Sequence, residues 1–147
     1  LPYYITSKII TKIVSSSTPI NRLVAMVQKE VALKLCSEEK SPLKMMIDYV
    51  GDVQYELNVP RHVFMPAPHV DSAVISIHKE RVISQELIDL IEASYTAKRK
   101  TLYNNLKSLY HDQTKELLES CGIPANKRAE ELNIDDYIRI LERSHTL

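Results

Sequence analysis

Val70-Asp-Ser-Ala-Val-Ile-Ser-Ile-His-Lys79, Glu80-Arg-Val-Ile83 and Ser84-Gln-Glu-Leu-Ile-Asp-Leu-Ile-Glu-Ala-Ser-Tyr95 run in succession, and the apolar pattern changes period across them. In the first block Ala73, Ile75 and Ile77 alternate with Ser72, Ser76 and His78, the two-residue period of a strand with one face turned to a core. From Ser84, which can cap a helix, Leu87, Ile88, Ile91 and Tyr95 follow at helical spacing. A switch of this kind divides α/β sequence from all-α sequence. We place the boundary at about residues 80–84, with residues 1–82 forming one domain and 83–147 a helical one.

Toward the N-terminus the pattern keeps alternating in type. Thr6 or Ser7 can cap a helix through about Ser16, with Ile9, Ile10, Ile13 and Val14 on one side. Arg22 to Gln28 is a continuous apolar run of strand length, expected to be covered on both faces. A short helix over Lys29–Cys36 follows, then Ser41-Pro42, an N-cap with proline at the first helical position, opens Leu43 to Val50. Asp52 to Val59 reads as a strand, and the three prolines between Pro60 and His69 predict a stiff, exposed connection. Toward the C-terminus Leu102, Leu106 and Leu109 continue the register set by Tyr95. Asp112 can cap Thr114–Ser120, Gly122 and Pro124 supply a stop, and Asn133 with Asp136 starts a last helix.

Composition narrows the chemistry. Only Gly51 and Gly122 are present, whereas phosphate-cradling loops need several glycines so that backbone amides can approach the ligand. No uncharged apolar run of about 18 residues suggests a membrane span, and no export leader is visible, so a cytoplasmic protein is expected. Cys36 and Cys121 stand far apart outside any zinc pattern and read as reduced, buried thiols. His62, His69, His78, His111 and His145 have no metal spacing, so no metal is expected. Leu1, rather than methionine, opens the chain without a polar leader, which suggests a fragment that begins inside a domain.

Formal net charge is zero and says nothing of partners, but nothing acidic occurs between Glu92 and Asp112. That stretch holds Lys98, Arg99, Lys100 and Lys107 among Tyr95, Tyr103 and Tyr110, a mixture suited to a nucleic-acid backbone. On one continuous helix Leu102, Leu106, Leu109 and Tyr95 share a side, with Lys100, Asn104 and Lys107 opposite. Arg99 falls at the apolar edge, where it should pair with a carboxylate or bridge the domains. The plain alternative for the lysines is a solvated helix face. Phe64, the only phenylalanine, sits in the proline-rich connection, where it either offers a flat face to a ligand or plugs the core. Asp71 reads as a turn cap.

The motifs carry a resemblance. Leu1-Pro2-Tyr3, Met26-Val-Gln-Lys-Glu-Val-Ala32, Val59-Pro-Arg-His-Val-Phe64-Met-Pro-Ala-Pro-His-Val-Asp71-Ser-Ala-Val, Lys98-Arg-Lys-Thr-Leu-Tyr-Asn-Asn-Leu106 and Ala125-Asn-Lys-Arg-Ala-Glu130 occur in order over nearly the whole chain. Together they resemble the C-terminal portion of the ribosomal RNA adenine N6,N6-dimethyltransferases, the kasugamycin-resistance family that modifies small-subunit RNA. The first matches the end of an Asn-Leu-Pro-Tyr motif and the third a Phe-x-Pro-x-Pro motif, and the second points to the bacterial branch.

The resemblance implies the second half of a Rossmann-like, S-adenosylmethionine-dependent methyltransferase domain followed by a small helical RNA-binding domain. Leu1, Pro2, Tyr3 and Phe64 become the catalytic candidates, the first by its carbonyl and the aromatics as faces for an extruded base. Arg61, Lys98, Lys100, Asn104, Lys107, Lys127 and Arg128 become candidates for contact with small-subunit ribosomal RNA or a 30S precursor. The family's donor-binding segments have no counterpart here, so the chain alone is expected to be inactive and to expose a sheet edge that can pair with another chain. Two alternatives remain: a non-catalytic RNA-binding or ribosome-assembly module, and a large-subunit methyltransferase conferring macrolide resistance, against which the Lys98–Leu106 signature argues.

Overall fold

A computed structural model describes residues 3–17 and 20–147, with residues 3–5 by their backbone alone. Two compact units form, one from residues 1–39 and 47–82, the other from residues 40–46 and 83–147. The sequence boundary put residues 40–46 in the first unit. Met45 and Met46, both fully buried, belong instead with the helical one.

The first unit is built on a three-stranded antiparallel sheet. Its strands are β1 (Arg22–Gln28), β2 (Gly51–Val59) and β3 (Ser72–Lys79), in the order β1-β3-β2, with Ile77 opposite both Leu23 and Val53. The central place of β3 explains its burial: Ala73, Ile75 and Ile77 are closed to solvent, and so is Ser76, which the alternation had put outside; Lys79, in phase with Ile75 and Ile77, is buried as well. Ser76 donates its hydroxyl to Glu56, the residue at the irregularity of β2. The Lys79 ammonium donates to the carbonyls of Ile13 and Ser16 and closes the C-terminal end of α1 (Tyr3–Val14), while burial pushes its pKa down. That helix starts at Tyr3, ahead of the expected cap, and Ile9 lies exposed rather than packed.

β1 corrects the expectation of a strand covered on both faces. It is an edge strand, and Val24 and Met26 are 60% and 52% exposed. Length and apolarity describe the strand; its place in the sheet is decided by what pairs with it. α2 (Lys29–Cys36) packs on the sheet through Val31, Ala32 and Leu35, leaving Cys36 exposed, whereas Cys121 is buried as expected. α3 (Pro42–Val50) starts as the sequence indicates, with the Lys44 amide donating to the Ser41 hydroxyl at 3.1 Å. A Cβ at Gly51 would stand 1.8 Å from the His78 carbonyl oxygen, so glycine alone lets β2 open against β3.

The second unit adds α4 (Gln85–Ser94), α5 (Leu102–Tyr110), α6 (Thr114–Ser120) and α7 (Ile134–Ser144). Ser84 caps α4 by accepting from the Leu87 amide, and Asn133 and Asp136 cap α7 reciprocally. Gly122, at φ +71, turns the chain after α6. Asp112 does not cap α6; it lies in a 3₁₀ turn, and Gln113 occupies the cap without a side-chain bond. Leu87, Ile91, Leu102, Leu106, Leu117, Tyr137 and Ile140 fill the core, while Leu109 is partly exposed. Among the described residues no helix is long and apolar enough to cross a membrane.

Candidate nucleic-acid interface

In the first unit, the connection between β2 and β3 makes one 3₁₀ turn at Arg61–Val63 and leaves Phe64 extended. Two ties close it. The Arg61 amide donates to the Asp71 carboxylate at 2.8 Å, and the Arg61 guanidinium donates to the His69 carbonyl at 2.9 Å. The Asp71 carbonyl in turn accepts from the Lys29 amide, at the start of α2, at 2.9 Å. Asp71 therefore anchors the loop, and one donor of Arg61, placed among the RNA-contact candidates by the resemblance, is engaged within the loop.

Phe64 is half-buried, neither a core plug nor a free surface ring. It lines a cavity of about 370 Å³ with Met26, Val27, Gln28, Pro66, Pro68, Val70 and Ser72, and Met65 at its rim is 98% exposed. This volume lies within the range of small-ligand sites, about 300 to 1,000 Å³. Among the described residues no ionisable side chain lines it. Leu1 and Pro2 lie outside the described residues, and Tyr3 is placed by its backbone at the first position of α1.

In the second unit the expected continuous basic helix is broken. α4 ends at Ser94, and α5 begins anew at Leu102, where the Thr101 hydroxyl accepts from the Asn104 amide at 3.3 Å. Lys98, Arg99 and Lys100 are therefore exposed turn residues. Arg99 makes no ion pair among the described residues, contrary to the carboxylate partner expected for it. Asn104 and Lys107 remain exposed on α5, and the Lys107 ammonium stands 4.5 Å from the centre of the Tyr103 ring. The Lys127 carbonyl accepts from the Leu102 amide at 2.6 Å, which brings the segment holding Lys127 and Arg128 against the start of α5. Lys127 also pairs with Glu131 at 3.1 Å, and that hydrogen bond, with the Arg128 amide, draws the Glu131 carboxyl below its ordinary range.

The other two tyrosines of the stretch point to structure. Burial raises the Tyr95 hydroxyl to about 12, and among the described residues it finds no well-formed hydrogen bond. Burial raises Tyr110 as well. Sequence reasoning overlooked the residue that organises this region. Asn105, 8% exposed, donates to the carbonyls of Ser94 at 2.8 Å and Ala97 at 3.1 Å and accepts from the Ala97 amide at 3.2 Å. A signal was available: Asn105 lies between Leu102 and Leu106 on the apolar side of α5, where a polar group needs partners.

Arg61, Phe64 and the cavity thus belong to the first unit, while Lys98, Lys100, Asn104, Lys107, Lys127 and Arg128 belong to the second. Among the described residues no cluster of His, Cys, Asp and Glu could hold a metal ion.

Known structures define the class first. The chain is similar to a crystal structure of a dimethyladenosine transferase from Plasmodium falciparum, with a TM-score of 0.82 and 23% identity over 99% of this chain and 65% of that one. It is also similar to the 23S rRNA methyltransferase ErmE, with a TM-score of 0.64 and 22% identity over 97% of this chain and 62% of that one. The fold is thus that of a partial methyltransferase, mixed α/β followed by helices.

The family model described as ribosomal RNA adenine dimethylase matches residues 1–145, and the chain belongs to that family. Among its relatives is the ribosomal RNA small subunit methyltransferase A of Fusobacterium nucleatum, 36% identical over 97% of this chain and 58% of that protein. The chain spans a little over half the length of the curated relatives it matches.

Proposed function

We propose that this chain is the RNA-binding, base-holding part of an enzyme that dimethylates adenines of small-subunit ribosomal RNA, acting on a 30S precursor in the cytoplasm. In this reading the first unit completes a methyltransferase domain and the second, helical unit binds RNA. The names of the relatives favour the small subunit. The observation that carries the reading is the half-buried Phe64 ring on a tied, proline-rich loop beside a cavity without charged side chains among the described residues.

Family membership implies S-adenosylmethionine as methyl donor, but the residues present do not fit it. Among the described residues the Phe64 cavity has no carboxylate for ribose hydroxyls and no glycine that would let backbone amides close on the donor's polar groups. The 147 residues alone should therefore neither bind the donor nor transfer a methyl group, and calorimetry showing micromolar binding would contradict this.

What the chain's own residues do follows from the substrate's chemistry. The exocyclic amine of adenine is a poor nucleophile because its lone pair is delocalised into the ring. It needs an acceptor for its hydrogens and a fixed approach. The Leu1 carbonyl, held by the stiff bond to Pro2, is the acceptor the family resemblance assigns. The base must also leave its stack, and Tyr3 and Phe64 would hold it between aromatic faces, each contributing about 1–3 kcal/mol.

The test joins these residues to the part of the Fusobacterium nucleatum relative that they do not cover and measures single-turnover methylation of undermethylated small-subunit particles. Phe64→Leu should slow the rate about 5- to 150-fold with little change in melting. A lower melting temperature with an unchanged rate per folded molecule would make Phe64 a packing residue. The exposed Val24 and Met26 on edge strand β1 should also make the chain self-associate at high concentration; a monomer there would contradict that.

A further inference from the structure

We infer that Asn105 is a positioning residue for RNA binding, which fixes the turn that presents Lys98 and Lys100. The inference rests on the reading of this turn as an RNA contact.

Between Ser94 and Thr101 the backbone leaves helical structure and carries three successive cations, Lys98, Arg99 and Lys100. Their mutual repulsion favours an open, fluctuating segment, so something must hold it. Lys100 is tied at its amide, which donates to the Ala97 carbonyl at 3.1 Å. That same carbonyl accepts from Asn105, whose carboxamide also takes the Ala97 amide and the Ser94 carbonyl. Ser94 is fixed from its other side, its hydroxyl bonding the Ile91 carbonyl at 2.7 Å and the Tyr137 hydroxyl at 2.8 Å. A line of buried groups therefore runs from Tyr137 through Ser94 and Asn105 to the backbone of Lys100.

The residue type suits the task. A carboxamide offers two donors and an acceptor, and this turn uses all three. Aspartate lacks both donors, and an aliphatic side chain lacks everything. Neighbouring Asn104 is exposed and has no such role. Lysines held on an ordered turn bind phosphate with less ordering cost than lysines on a loose one, so the effect of Asn105 should appear in RNA affinity although it touches no RNA.

The test uses the whole 147-residue chain and a small-subunit ribosomal RNA transcript, with affinity measured across a salt series. Asn105→Ala leaves the charge unchanged, yet it should weaken binding about 5-fold or more, flatten the salt dependence and speed tryptic cleavage at residues 98–100. Added to Lys98→Ala with Lys100→Ala, it should cost no further affinity, because it acts through those lysines. Asn105→Ser, which keeps one donor and one acceptor, should show a smaller loss in the same direction and serves if the alanine variant does not fold. An equal loss from Asn105→Ala with and without the lysines, or no loss where the lysine pair shows one, overturns this inference alone. A lysine pair without effect on affinity or slope overturns the RNA reading of the turn, and this inference with it.

Discussion

Two irregular segments carry the candidate contacts, and they are held in opposite ways. The Phe64 loop is closed by Arg61 and Asp71 through exposed hydrogen bonds, which water can replace when they open. The Lys98–Lys100 turn is closed by Asn105 from inside, with Ser94 and Tyr137 buried behind it. Prolines restrict the first segment before any contact forms; the second, cation-rich and without proline, depends on its partner. The loop should therefore tolerate loss of a tie, whereas the turn should not.

The largest effect should follow Asn105→Ala. It leaves the Ser94 carbonyl without its partner in a buried setting and should cost about 1–3 kcal/mol in denaturant unfolding. A cost no greater than that of Asp71→Ala would erase the contrast between the segments. Tyr137→Phe removes only the hydroxyl facing Ser94 and should cost about 0.5–1.5 kcal/mol.

The same variant sharpens the comparison through pH. Burial raises the Tyr137 pKa above its usual 10.0, so the folded state holds that proton more tightly than the unfolded chain does. The stability this provides is complete below pH 10.0 and is lost as pH rises from there toward the folded value. Melting temperatures followed upward from that point should fall less steeply in Tyr137→Phe; parallel curves would mean that Tyr137 does not contribute.

Asp71→Ala comes next, at about 1 kcal/mol or less, since its bond to the Arg61 amide is exposed. The smallest change in stability belongs to Glu131→Gln. Glu131 is exposed and its pKa is depressed, so its contribution is present above the ordinary carboxylate pKa and lost as pH falls through the lowered one. Releasing Lys127 from this pair should steepen the salt dependence of RNA binding by about 0.7–0.9, and an unchanged slope would leave Lys127 out of the interface.

Much of the fold was legible because local chemistry decides it. Ser84, Ser41-Pro42, Asn133 with Asp136, and Gly122 mark helix ends by bonds they make within a few residues. What depends on distant partners was not. The run Arg22–Gln28 has the composition of a central strand, yet the pairing of β3 on both sides leaves it at the edge. The break after Ser94 was hidden because Tyr95 stays in phase with Leu102 and Leu106 on a continuous wheel, although Thr101 supplied a cap signal. In the basic segment the exposed Asn104 was singled out and the buried Asn105 beside it was passed over. The Phe64 loop was readable as stiff and exposed from its prolines, but the roles of Arg61 and Asp71 in closing it required the fold.

The most direct measurement compares the slope of log affinity against log salt for this chain and its Lys98→Ala, Lys100→Ala variant on a small-subunit ribosomal RNA transcript. If both lysines meet phosphate, the slope should fall in magnitude by about 1.4 to 1.8, two counterions' worth, with the melting temperature unchanged. An unchanged slope would contradict the account and return the turn to an ordinary solvated surface.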